Sequence, residues 1–289
     1  MSGETSQILL VGATGKQGRA TLNSLLAAGH PAAAITCLTR NVASPASQQL
    51  QQKGVHLVQG SLDDIASLKD ALVGKDAAFL VTVPPEKGAP VEEEQGRNFI
   101  SAATATSLRY LVFTSVASAS PSCGIPHFES KARIEESLKD SGVRYAILRP
   151  VAFFDNWPKQ AGVAQMMALG LFDAALKGKS LQMVSCDDIG HFGAQALLHP
   201  DKFQGRTIEL AGDEVTMEQA RQTYAKVSGS WLPVLKAYVP GIALLALPYD
   251  YRMMFYWFHN EGYKVSIPSV KSEHPALLTL EDWLRKKDD

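Results

Sequence analysis

His127 and Lys131 stand four residues apart in PHFESK, residues 126–131, a spacing that places both on one face of a helix. An imidazole, with an ordinary pKa of about 6.5, gives or takes a proton near neutrality, and a cation beside it favours its neutral form. The pair is thus a candidate for proton transfer. Read on as PHFESKARIEESLKDSG, the same stretch is also an ordinary surface helix. A proline opens it, Glu129 and Lys131 supply outward charges, and Glu135 precedes Lys139 by four. Residue types alone leave both readings standing.

A second constellation is ILLVGATGKQGRATLNSLLAAG, in which Gly12, Gly15 and Gly18 follow an apolar run and open an amphipathic helix. In such a loop one glycine makes the tight turn, one lets the backbone approach a pyrophosphate, and one lets helix and strand pack closely. The helix start then offers unpaired N–H groups to the anion. The implied chemistry is dinucleotide binding, with Gly12, Thr14, Gly15, Gln17 and Gly18 as the contacting set. Arg40 closes the second apolar run, CLTR. A carboxylate there would accept from a ribose 2′-hydroxyl, whereas a guanidinium fork suits a 2′-phosphate, so the expected cofactor is NADP(H) and not NAD(H). Asp187 and Asp188 are read as a helix start, one of them capping it. His191, His199 and Lys179 have no metal-ligand spacing, and neither HExxH nor GxSxG occurs. No metal is expected, and the common hydrolase reading falls away.

The elements that must hold these residues are legible in the same chain. Short apolar runs at 8–11, 35–39, 55–58, 77–83, 110–114 and 143–148 predict buried strands, and helix-like stretches at 15–28, 64–72, 91–106 and 129–141 lie between them. Strand then helix, repeated, predicts an α/β fold with a Rossmann-type doubly wound parallel sheet and right-handed crossovers. Pro90 suits a first helical turn, and Glu92, Glu93 and Glu94 suit the positive end of a helix dipole, an acidic run that needs no ligand. After Pro150 the alternation breaks down and aromatics and methionines become denser. Residues 1–150 are therefore expected to form the nucleotide-binding domain. Residues 151–289 would form a smaller, mostly helical substrate subdomain, with segments returning to the main sheet. The apolar run 239–248 is far short of the roughly 20 residues of a spanning helix, and is read first as buried core.

Composition narrows the function classes. With 28 basic against 29 acidic side chains the formal net charge is −1, so nothing draws the protein to nucleic acid or to an anionic membrane. Cys37, Cys123 and Cys186 are an odd number without CxxC spacing, which argues against a disulfide framework and for a reducing compartment, the cytoplasm with the nucleus as alternative. MSGETSQ lacks the basic start and apolar run of a secretion signal.

The glycine spacing is GxxGxxG, and it is followed in order, along nearly the whole chain, by CLTR, VQGSLDD, YLVFTS, SGVRYAILRP, FFDNW, DDIG, GRTIELAGD and WFHNEGY. This series resembles the short-chain dehydrogenase/reductase superfamily, specifically its atypical NmrA-like and isoflavone-reductase-like branch. The resemblance implies that Ser61, Leu62 and Asp63 lie near the adenine and that Thr82 to Pro84 pass over the cofactor. It also implies that Lys131 holds the nicotinamide ribose, and that Phe153, Phe154 and Asn156 stand at the substrate mouth. Typical members carry a tyrosine as proton donor four residues before that lysine; here the position is His127. A helper hydroxyl would come from Thr114, Ser115 or Ser118, and Val116 competes for the same register.

Two functional classes follow. One is an NADPH-dependent reductase of an apolar carbonyl, enone or quinone small molecule, with Lys131 orienting the cofactor and His127 or a water giving the proton; a non-redox isomerase that keeps the cofactor is its variant. The other is a dinucleotide sensor of the NmrA type, which binds without turnover and signals through a protein partner. The aromatic and thioether side chains of Met166, Met167, Phe172 and residues 249–259 suit an apolar ligand taken together, although each alone is as well explained by packing.

Overall fold

A computed structural model describes residues 5–82, 88–106 and 108–287. The chain alternates strand and helix through β1 (Ile8–Val11), α1 (Lys16–Ala27), β2 (Ile35–Thr39), α2 (Pro45–Gln52), β3 (His56–Gln59) and α3 (Ile65–Leu72). It continues with β4 (Ala77–Val81), α4 (Ala89–Ala105), β5 (Tyr110–Thr114), α5 (Pro126–Asp140) and β6 (Arg144–Pro150). Residues of β1, β4 and β5 are apolar on both faces and almost all buried, which is what a parallel sheet covered by helices on both sides requires. β3 has exposed ends and sits at the sheet edge.

The chain then runs through β7 (Ala152–Phe153), α6 (Val163–Leu176), β8 (Leu181–Val184), α7 (Cys186–Leu198), α8 (Pro200–Phe203), β9 (Thr207–Leu210) and β10 (Asp213–Val215). It ends in α9 (Met217–Ser228), α10 (Tyr249–Asn260), α11 (Ile267–Glu273) and α12 (Leu280–Arg285). Seven strands form one sheet in the order β3-β2-β1-β4-β5-β6-β9, and every pair from β3 across to β6 is parallel.

The chain divides into two compact units. One runs up to Arg149 and takes back residues 189–208; the other holds 150–188 and the chain from 209 onward. In the first, Leu9, Leu80, Phe99, Phe113, Ile134 and Ile147 are among the residues that fill the space between sheet and helices. The returning part of α7 packs against α1 through glycine, since a Cβ at Gly190 would lie 2.4 Å from the carbonyl carbon of Ala20.

The second unit carries its own three-stranded sheet, β10-β8-β7, and a core of Phe154, Trp157, Leu169, Met183, Tyr224, Phe258 and Trp283, among others. The apolar run 239–248 is not core, contrary to the expectation from its length. It forms a short 3-10 turn, Gly241–Ala246, none of whose residues is buried. Leu244 and Leu247 touch the core while Ile242 and Leu245 face solvent. Prolines at 240 and 248 keep the run from extending into a helix with a continuous buried stripe. Among the described residues no helix is long and apolar enough to cross a membrane.

Candidate functional site

Parallel pairing brings the carboxyl ends of β1, β2, β4 and β5 to one edge of the sheet, with Val11 opposite Leu38 and Val81 opposite Thr114. Gly12 leaves β1 with φ +82°, and a Cβ there would stand 3.1 Å from Val81 Cβ. Gly15 donates to Gly12 O at 2.9 Å and caps α1 without any side-chain acceptor, and the first turn holds no acid. The N–H groups at the head of α1 are thus left for an anion. Gly18 is tightest of all: a Cβ would fall 2.3 Å from Gly12 O. Thr14 is exposed and its carbonyl accepts from Arg19. Gln17 Oε1 accepts from the buried Thr114 hydroxyl at 2.5 Å, which ties the loop to the end of β5.

Arg40 is exposed directly after β2 and makes no hydrogen bond or ion pair among the described residues. The turn behind it is tied together by side-chain hydrogen bonds. Thr39 Oγ1 and Ser47 Oγ share a hydrogen bond at 2.9 Å, Ser44 Oγ donates to Ser47 Oγ, and Ser47 Oγ donates to Asn41 O. A cation held beside the head of a glycine loop, with no local carboxylate, fits a phosphate. On the next turn Leu62 is half-buried and its carbonyl accepts from Asn98 at 3.1 Å, while the exposed Asp63 accepts from Gln95 at 2.8 Å and from Ser61. Pro84 lies outside the described residues.

Lys131 is not a surface charge. Its side chain is 9% exposed, and Nζ donates to Glu92 Oε1 at 2.8 Å, to Thr82 O at 3.1 Å and to Thr82 Oγ1 at 3.2 Å. Glu92 in turn is fully buried and accepts from Ser130 Oγ at 2.6 Å. Of the 92–94 run expected at the positive end of the helix dipole, Glu92 alone lies in the first turn of α4, and it is buried against Lys131, while Glu93 is half-buried and Glu94 exposed. A sequence signal existed: Ala89, Glu92, Gly96, Phe99 and Ala103 lie on one buried stripe of α4. The matching stripe of α5 contains Phe128, Lys131, Glu135 and Leu138. His127 is half-buried in the first turn of α5, edge-on to Phe128, and its carbonyl accepts from Ser130 Oγ. At the end of β5 the Ser115 hydroxyl is buried without a hydrogen-bond partner, an arrangement that natural interiors tolerate mainly where something else binds. Of the hydroxyls weighed for the helper role it is the one left unsatisfied, whereas Thr114 is committed to Gln17.

Phe153, Phe154 and Asn156 belong to the second unit. Phe153 is half-buried and Asn156 exposed, whereas Phe154 is fully buried and stacks on Trp283 with ring centroids 5.8 Å apart. Phe154 packs the core; it does not offer a face to a ligand. Neither Asp187 nor Asp188 caps α7. The Ser185 hydroxyl accepts from Asp187 N–H and the Asp155 carboxylate from Cys186 N–H. Asp187 instead pairs with Lys286 at 2.7 Å. The buried Asp188 accepts from His274 Nε2 at 3.1 Å and Leu278 N–H at 3.2 Å, and burial above all raises its carboxyl pKa. Among the described residues no group of three His, Cys, Asp or Glu is placed to hold a metal. Burial pushes the Cys37 thiol up to about 12, leaving it unreactive.

A glycine turn after the first strand of a sheet whose order begins 3-2-1-4-5-6 defines a dinucleotide-binding α/β unit. The sequence comparison is more specific: residues 4–284 match the NmrA-like family, and the chain belongs to it. It is 31% identical over 227 residues to quinone oxidoreductase 2 of Escherichia coli (strain K12), covering 77% of this chain and 74% of that one. Among solved structures, the Citrobacter triphenylmethane reductase complexed with NADP(H) has a TM-score of 0.77 at 19% identity, covering 96% of this chain and 99% of the other. The NADPH-dependent quinone oxidoreductase of Escherichia coli complexed with NADPH has a TM-score of 0.76 at 24% identity, covering 96% and 98%. At these identities the structural likeness speaks for the fold.

Proposed function

We propose that the protein is an NADPH-dependent reductase acting on an apolar quinone, enone or related carbonyl compound. The observation that carries the cofactor is Arg40, an uncommitted guanidinium on a braced turn beside the open head of α1, where an NAD-specific site would hold an acid. The substrate class is supported by the likeness to a quinone oxidoreductase at 31% identity; the aromatic side chains Phe172, Phe255 and Phe258 of α6 and α10 pack the core of the second unit instead.

Each residue has a physical task in this reading. The glycine loop and the N–H groups of α1 bind the pyrophosphate, and Arg40 binds the 2′-phosphate. Lys131 orients the nicotinamide ribose, with two of its donors passing from Thr82 to the ribose hydroxyls. NADPH, when bound, supplies the hydride. His127 or a water delivers the proton to the product oxygen, and a quinol or enol oxygen asks less of that donor than a simple alkoxide does. A dinucleotide sensor is the second reading, favoured by the full commitment of the Lys131 donors to Glu92 and Thr82.

The experiment follows NADPH consumption against a panel of quinones, enones and aldehydes, with wild type, Lys131→Ala and His127→Phe. The reductase reading expects turnover that Lys131→Ala reduces by about tenfold or more and His127→Phe by less. Tight NADPH binding without turnover across the panel would favour the sensor.

A further inference from the structure

The buried carboxylate of Glu92 has no task in the reading above. Taking a carboxylate and an ammonium out of water costs several kcal/mol per ion by order of magnitude, and a buried ion pair is commonly no more stabilising than apolar packing of the same volume. Stability alone is thus a weak reason for Glu92 and Lys131 to be where they are. Geometry supplies another. Glu92 sits in the first turn of α4, where the helix end favours negative charge. One of its oxygens takes the Lys131 ammonium at 2.8 Å and the other takes Ser130 Oγ at 2.6 Å. Ser130 also donates to His127 O at 3.2 Å. One carboxylate therefore fixes the lysine directly, and through Ser130 fixes the turn that carries the histidine.

Around Lys131 the other charges point elsewhere. On α4, Glu93 is taken by Arg133 and Arg97; on α5, Glu129 lies 3.7 Å from Arg133, and Glu135 holds Arg149 and Lys139. His127 stands one turn before Lys131 on α5. From β5 comes the Phe113 ring, 5.9 Å from Nζ, and after β4 only the uncharged Thr82. Among the described residues Glu92 is the only carboxylate paired with Lys131.

We infer that Glu92 is a positioning residue for Lys131: it keeps the buried ammonium charged and aimed, while the two bonds to Thr82 are the ones that cofactor hydroxyls replace. This rests on the reading that Lys131 touches the cofactor. The donor count agrees, since a lysine with one permanent acceptor keeps two donors, the number that vicinal ribose hydroxyls take.

The test is NADPH affinity, read by fluorescence titration of the full chain across about pH 7 to 10. Variants are Glu92→Gln, Glu92→Asp and Lys131→Met, with folding checked by circular dichroism. Glutamine keeps the shape and one acceptor oxygen, enough for the ammonium while its NH2 donates to Ser130 Oγ, but it leaves the ammonium without a counter-charge, and desolvation then favours its neutral form. Wild type should bind with little change over this range. Glu92→Gln should lose about tenfold or more in affinity as pH rises, Glu92→Asp should stay flat, and Lys131→Met should be weak and flat. A Glu92→Gln profile parallel to wild type, with Lys131→Met weak, would overturn the positioning role alone. Unchanged NADPH affinity in Lys131→Met would overturn the cofactor contact and the inference with it. If Glu92→Gln does not fold, Glu92→Ala is read in its place, with pH-dependent loss of binding supporting the role and a profile parallel to wild type overturning it.

Discussion

In the proposed site Arg40 carries the choice between cofactors. It meets no protein acceptor among the described residues, which leaves its charge-assisted bonds, worth roughly 1.5–3 kcal/mol, open to a 2′-phosphate. NADPH should bind about tenfold or more tighter than NADH, and Arg40→Ala should remove most of that difference in parallel titrations; equal affinities in wild type would contradict the assignment. Gly18 makes a second residue-scale prediction. Its missing Cβ leaves room for Gly12 O, and backbone on both sides cannot give way. Gly18→Ala should lower stability by about 1–3 kcal/mol and weaken dinucleotide binding, seen as a lower melting temperature and a higher Kd. The glycine turn and the exposed cation after β2 were legible in the sequence because residue type and spacing alone place them. Glu92 was passed over, since three successive glutamates look alike until they are laid on the helical stripe with Ala89, Gly96 and Phe99 that turns Glu92 inward.

That register belongs to the elements. α4 and α5 pack face to face, and their buried stripes bring Glu92 to Lys131 while the next residues along, Glu93 and Arg133, meet nearer the surface. Burial works to raise the Glu93 carboxyl, but its bonds to Arg133 and Arg97 outweigh it, and the net shift is downward. A folded-state value below the unfolded one stabilises the fold above the unfolded value and stops doing so as pH falls through the folded value. The stability difference between wild type and Glu93→Gln should therefore be full at pH 7 and fade as pH falls from about 4.3, as denaturant titrations at several pH values would record. A difference that stays constant into acid would contradict the pairing. The strands of the first unit were readable because runs buried on both faces are continuously apolar, and the end of β4 at Val81, before the expected 83, is a small miss. The α7 start differs from the expectation for another reason: Ser185 and Asp155, from two separate segments, supply the caps expected of Asp187 and Asp188.

At the scale of the molecule, the alternating first part predicted the doubly wound sheet, and NmrA-like membership agrees with it. The second part was less legible because aromatic side chains serve a core and a ligand equally well; Phe154 went to the core. The run 239–248 shows the limit of hydropathy, which cannot tell which side of a short apolar turn faces water. Ile242 and Leu245 are 73% and 64% exposed, so replacing both by serine should shift stability by less than about 0.5 kcal/mol. Leu244→Ser, which touches the core of the second unit, should cost about 1–2 kcal/mol, measured by thermal melts of the three proteins.

The reductase reading is tested most directly by mixing the NADPH-loaded protein anaerobically with a simple apolar quinone and counting both products. The expected result is one NADPH oxidised for each quinol formed, over many turnovers, with NADH much less effective at equal concentration. NADPH that binds tightly and stays reduced, with this quinone and with every other carbonyl compound of the panel, would contradict it.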